Sequence, residues 1–167
     1  MSQKKNLLLL VALTASLFTL LMASIDQQMV EAAPFKYVSN LTGANEFPPV
    51  VTDASGEFKM QTFGNSFEKI HFRIVASDLS SSVIGAHIHC APAGVNGPIS
   101  VFLFDGLNDR STFRTRGTIT TEDLTGACGF ANLEDMQASI INDNSVYVNI
   151  HTLDNPGGEV RGQILLK

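Results

Sequence analysis

Four histidines, His71, His87, His89 and His151, are the residues of this chain best suited to chemistry. His87-Ile88-His89 stands in a short alternating stretch. On a strand, residues two apart project from the same face, so both imidazoles can reach one ion. Imidazole pairs of this kind suit zinc or copper. A third ligand must come from elsewhere, and His151, at the end of another alternating run, is the natural candidate. Glu159 follows it across Asn155-Pro156-Gly157-Gly158, a tight-turn sequence that can bring the two together. Arg161, two residues on, shares Glu159's face, where an ordinary surface ion pair is the plain alternative. His71 is a further candidate ligand. Two other readings stand beside the metal site: the histidines can brace loops by hydrogen bonding, or be unrelated polar positions on a surface.

Other chemistries find less footing. The G-x-S-x-G elbow of a serine hydrolase is absent. Cys90 beside His89 has the elements of a thiol nucleophile. Cys128 is the only other cysteine, and in an exported chain two cysteines tend to pair, so a Cys90–Cys128 disulfide is expected. Gly94-Val95-Asn96-Gly97-Pro98 reads as a turn and not as a phosphate cradle.

The elements that must hold these residues are mostly strands. Glu57–Phe63 alternates, with Phe58 and Met60 opposite Lys59 and Gln61. Lys69–Val75 sets Ile70, Phe72 and Ile74 against Lys69, His71 and Arg73. Val146–Thr152 sets Val146, Val148 and Ile150 inward and Tyr147, Asn149 and His151 outward. Phe35–Leu41, Ala86–Cys90, Ile99–Phe104, Phe113–Ile119 and Glu159–Leu166 complete the set. Each histidine thereby falls on the side facing away from the core. Only Leu133, Met136, Ile140 and Ile141 recur at helical spacing, which predicts one short helix over 133–141. Short strands divided by Gly, Pro, Asn and Asp predict an all-β, antiparallel Greek-key sandwich or barrel of about seven or eight strands.

At the N-terminus, Lys4 and Lys5 precede an uncharged apolar run from Leu7 to about Ile25. Residues 1–25 read as a signal peptide or an N-terminal membrane anchor, 26–34 as a linker and 35–167 as the domain. Removing residues 1–23 takes two lysines and moves the formal charge from −5 to −7. So acidic a chain predicts no nucleic-acid partner, and contact with a membrane only through the N-terminal segment. The expected location is secreted or extracytoplasmic. Asn40-Leu41-Thr42 is a glycosylation sequon.

Three blocks carry a family resemblance. Leu41-Thr42-Gly43-Ala44-Asn45-Glu46-Phe47-Pro48-Pro49-Val50 resembles the opening of the chordin-type (CHRD) domain. Gly85-Ala86-His87-Ile88-His89 with Ala93–Pro98 resembles its central block. Tyr147–Thr152 with Pro156–Ile164 resembles its closing block. The resemblance spans about Tyr37 to Leu166. It implies an extracellular module with an immunoglobulin-like β-barrel that acts as a binding or structural unit for an extracellular ligand or cell-surface component. The cysteine-rich modules that accompany the domain in chordin are missing, so growth-factor binding is not carried over. A second similarity is to copper/zinc superoxide dismutase, in which His87, His89 and His151 would take the copper roles and Arg161 that of an anion-attracting arginine. The His/Asp-rich loop of a separate zinc site and a bridging histidine have no counterpart here. This similarity implies a copper-binding redox protein or enzyme as the alternative, and a purely structural cell-surface domain, whose histidines only brace loops, is the third reading.

Overall fold

The structure, a computed structural model, describes residues 34, 36–63 and 66–167. The expected signal or anchor segment, and the linker but for Pro34, lie outside the described residues. Among the described residues no helix is long and apolar enough to cross a membrane.

The described residues fold into nine antiparallel strands: β1 (Lys36–Thr42), β2 (Ser55–Phe63), β3 (Ser66–Ser77), β4 (Val83–Cys90), β5 (Ile99–Asn108), β6 (Phe113–Ile119), β7 (Val146–Thr152), β8 (Val160–Gln163) and β9 (Leu165–Leu166). Eight of them follow the order β5-β4-β7-β8-β1-β2-β3-β6, and β9 adds to β1. The neighbours β3–β6 and β4–β7 are not consecutive in sequence, which gives Greek-key connections. A bridge between Val101 on β5 and Leu124, just beyond β6, nearly closes the sheet into a barrel. This is the all-β class that alternation predicts.

The period-two pattern works because one side of each strand is removed from water. Leu41, Phe58, Ile74, Ile88, Val148, Ile150 and Val160 are fully buried in one continuous core. Burying a side chain of this size stabilises the fold by about 1.5–3 kcal/mol. The expected helix forms over Leu133–Ala138, here α1. Asn132 caps it by accepting from the Asp135 backbone N–H at 2.9 Å, as an Asn at this position should. Leu133 and Met136 enter the core. Beyond Ala138 the chain loosens into a π turn, Ser139–Asp143, and stops at Asn144 in the left-handed region. The periodicity through Ile140 therefore marks buried positions on two kinds of helix.

The outward faces of β7 and β8 depart from expectation. Tyr147, Asn149 and Arg161 are buried although they point away from the barrel interior. Two segments cover them. One is the turn after β1, with Glu46 and the cis Phe47–Pro48 peptide. The other is the loop between β4 and β5, Ala91–Pro98. The Asn96 side-chain amide donates to the Phe47 carbonyl at 2.8 Å and locks the two together.

Candidate metal centre

β4 lies between β5 and β7, so its outward side chains have neighbours on both sides. His87 pairs across from Asn149, His89 from Tyr147, and Gly85 from His151. His151 is thus diagonal to His87. The missing side chain at Gly85 leaves room for the His87 ring, since a Cβ there would fall 3.0 Å from Cε1 and 3.1 Å from Nε2 of His87. Ring centroids lie 4.7 Å apart for His87–His151, 5.7 Å for His87–His89 and 6.1 Å for His89–His151. One nitrogen from each ring lies within 4.8 Å of the others. A tetrahedral zinc or copper ion at its usual bond length would hold its nitrogens about 3.3 Å apart, a closure of about 1.5 Å at most.

The tautomers follow from the partners. Nδ1 of His89 lies 2.9 Å from the Gly97 carbonyl, and Nδ1 of His151 lies 3.0 Å from the Pro156 carbonyl. A carbonyl only accepts, so both Nδ1 atoms carry the proton and both Nε2 atoms carry a lone pair. Metal-binding histidines are held in this way. Nε2 of His89, Nε2 of His151 and Nδ1 of His87 are buried and have no hydrogen-bond partner. Gly97 is needed for the first of these bonds, because a Cβ at that position would overlap the Cys90 carbonyl.

Electrostatics keep the cluster neutral. Burial, then the neighbouring His151 and His89, push the pKa of His87 down from 6.5 to about 4. Burial also lowers His89 and His151, against the opposing pull of the Gly97 and Pro156 carbonyls. Behind the cluster the Tyr147 ring stacks on His89, centroids 4.8 Å apart and 4° from parallel. The Arg161 guanidinium carbon lies 3.3 Å from the Tyr147 ring centroid. That guanidinium donates to Asn96 Oδ1 at 3.2 Å and to the Pro92 and Val95 carbonyls at 3.1 and 2.9 Å. Glu46 is buried against Asn149 and Arg161, and desolvation, partly offset by Arg161, raises its pKa to about 7. Gly158, at φ +127, makes space for it: a Cβ there would fall 2.5 Å from Glu46 Oε1.

The structure gathers His87, His89 and His151 and sets the other named residues elsewhere. Both Glu159 oxygens are engaged, by the hydroxyls of Thr52, Ser80 and Thr152 and by the Ser80 backbone N–H. His71 is on β3, with Nδ1 3.0 Å from Thr118 Oγ1. Arg161 is 1 % exposed and turned under the β4–β5 loop, away from solvent. Cys90 and Cys128 form a disulfide, Cα atoms 5.9 Å apart, that anchors the end of β4 beside His89. A disulfide of this kind fits an extracytoplasmic location. Asn40 is exposed on β1. Tyr147, Asn149, Asn96 and Glu46 are the members that sequence reasoning passed over. Glu46 and Asn96 stand in turns, where no periodicity marks a buried residue.

Residues 37–164 match the family model of the CHRD domain. The chain belongs to the CHRD family. That match covers β1 through Ile164, and so takes in all three histidines of the cluster and both covering segments. No curated protein matches the chain. Within the CHRD domain, the AHIH and YVNIHT segments are the two strands that meet at the histidines, and the LTGANEFPPV segment is one of the covers.

Proposed function

We propose that this CHRD domain is an extracytoplasmic binding or structural module that holds one copper or zinc ion through His87, His89 and His151. The observation that carries this reading is the set of three buried imidazole nitrogens, one per ring, with no donor to satisfy them. A cluster built only to brace loops would need the Nδ1–carbonyl bonds and nothing more. Here one nitrogen from each of the three rings lies within 4.8 Å of the others, and a buried polar atom without a partner is costly. A cation supplies the missing partner to all three at once. The lowered pKa values leave the lone pairs free at neutral pH, so binding would not have to displace protons there.

The test is metal titration of chelator-stripped protein with Cu(II) and Zn(II), read by elemental analysis and thermal unfolding. One ion per chain is expected. At a metal concentration of about 100 times Kd, the fold gains about 2.7 kcal/mol. His87→Ala with His89→Ala should abolish both the stoichiometry and the gain while the circular dichroism stays β-rich. Absence of binding by either metal, or undiminished binding by the double variant, overturns the assignment.

A further inference from the structure

The chain is acidic as a whole, with a formal charge of −5, yet its cations are concentrated on one face. Lys4 and Lys5 precede the domain, Arg161 is buried and Arg110 is in the loop before β6. The remaining lysines and arginines line the outer side of β1, β2, β3 and β6 and the adjoining end of β9. Strand register puts them in rows. Lys59 faces Arg73 across β2–β3, and Arg73 faces Arg116 across β3–β6. One row along, Lys36, Gln61, His71 and Thr118 are aligned. In the row on the other side, Arg114 faces Val75. Lys59, Arg73, Arg114 and Arg116 are all exposed.

Like charges directly opposite one another destabilise a sheet. Here three stand abreast, and among the described residues the only ion pair is Lys59–Glu57 at 2.6 Å. A shallow cavity of about 230 Å³ opens beside the row, lined in part by Lys36, Lys59, His71, Arg73 and Lys167. Glu68 borders a neighbouring hollow with Lys69 and Phe63. Glu57 meets Lys59 alone, so Arg73 and Arg116 stand opposed with no facing acid.

We propose that the outer face of β1-β2-β3-β6 binds a linear acidic polysaccharide. Adjacent strands are about 4.8 Å apart, close to the length of one pyranose unit, so a chain laid across the strands meets one cation per sugar. The side chains between the cations favour this occupant over other polyanions. Val38, Gln61, Val75 and Thr118 offer no stacking platform for bases, and among the described residues no helix or ribbon rises from the face to enter a duplex groove. The apolar side chains among the cations, Val38 and Val75, are short and half-buried, and the exposed ones, Leu165 and Phe63, stand at the margins, so none at the centre reaches out to insert into a bilayer. Phe63, exposed at the margin with its ring edge-on to His71 at 5.4 Å, gives a sugar ring an apolar surface to rest on. Net charge is an average over the surface, and it hides a face of opposite sign.

The test is calorimetric titration of the purified protein with dextran sulfate, with neutral dextran, a DNA duplex and phosphatidylglycerol vesicles as comparisons. Dextran sulfate should bind and neutral dextran should not. With three cations engaged, raising salt tenfold should weaken binding by about 100-fold. Arg73→Gln with Arg116→Gln removes two of the three and should weaken binding about tenfold and flatten the salt dependence, whereas Arg110→Gln should leave both unchanged. Unfolding curves of the double variant establish that it is folded; relief of like-charge opposition should leave it at least as stable as the parent. Failure of dextran sulfate to bind at low salt, or binding indifferent to the double variant, overturns the proposal. So does tighter binding of the DNA duplex or the vesicles through the same two arginines.

Discussion

Arg161→Met tests whether the buried polar layer behind the histidines is structural. The guanidinium is 1 % exposed, donates to Asn96, Pro92 and Val95, and lies on the Tyr147 ring. Methionine fits the same unbranched space and keeps the apolar contact, but it satisfies none of the three acceptors. Each acceptor left unpaired costs about 1 kcal/mol or more. The desolvated cation–π contact contributes about 2 kcal/mol. Relief of the desolvation of a buried charge offsets part of this, so a net loss of about 3 kcal/mol is expected. Urea unfolding measures it as a lower midpoint at unchanged slope. The substitution also removes the charge that lowers the pKa of Glu46, which should rise further, and one that lowers His89. A loss below about 1 kcal/mol would refute the view that this arginine clamps the two covering segments.

Three other outcomes are expected. Glu159→Gln replaces a fully buried carboxylate that accepts from three hydroxyls and a backbone N–H; the amide nitrogen cannot accept, and thermal unfolding should show a loss of about 2–3 kcal/mol. Replacing both Cys90 and Cys128 by alanine opens a loop with a sequence separation of 38, for which chain entropy gives a loss of about 4 kcal/mol by chemical denaturation. In metal-free protein, the depressed pKa of His87 means that the unfolded state takes up protons first as pH falls. The stability that His87 confers is whole above 6.5 and is lost on descent to about 4, by about 2 kcal/mol once partial exposure is discounted. Glu46 acts in the opposite sense, since its raised pKa gives stability below 4.5 that is lost as pH climbs through about 7. The difference between the parent and Glu46→Gln across pH 4–8 separates the two, and bound metal should flatten the histidine limb.

The sequence carried the strands and the histidine pair, because alternation reports which side of a sheet a residue occupies. It carried less about what lies over the other side. Tyr147 and Asn149 alternate correctly with Val146, Val148 and Ile150, yet both faces of β7 are buried apart from a half-buried His151. The cover comes from turns at residues 43–50 and 91–98, whose Gly, Pro and Asn content marks a change of direction and nothing about burial. Glu46 stands in the first of these turns and is 5 % exposed. Arg161 and Glu159, which had the appearance of a surface ion pair, are both buried and bond different partners. At the end of the chain, a single expected strand over Glu159–Leu166 is broken at buried Ile164 into β8 and β9, each with its own partner.

The pairing of β9 with β1 has a mechanical consequence. Tyr37 faces Leu166, and the Lys167 N–H donates to the Lys36 carbonyl at 2.8 Å. The chain enters and leaves the barrel at one point. Tension applied between these two strands would peel their hydrogen bonds one after another, as a zipper opens, and would not load the ladder in shear. Thr42, at the far end of β1, pairs with Arg161 beside the histidine layer, about 20 Å along the strand from Lys36. A pull at the ends would therefore loosen the Lys36 end of β1 before the Thr42 end beside the histidines.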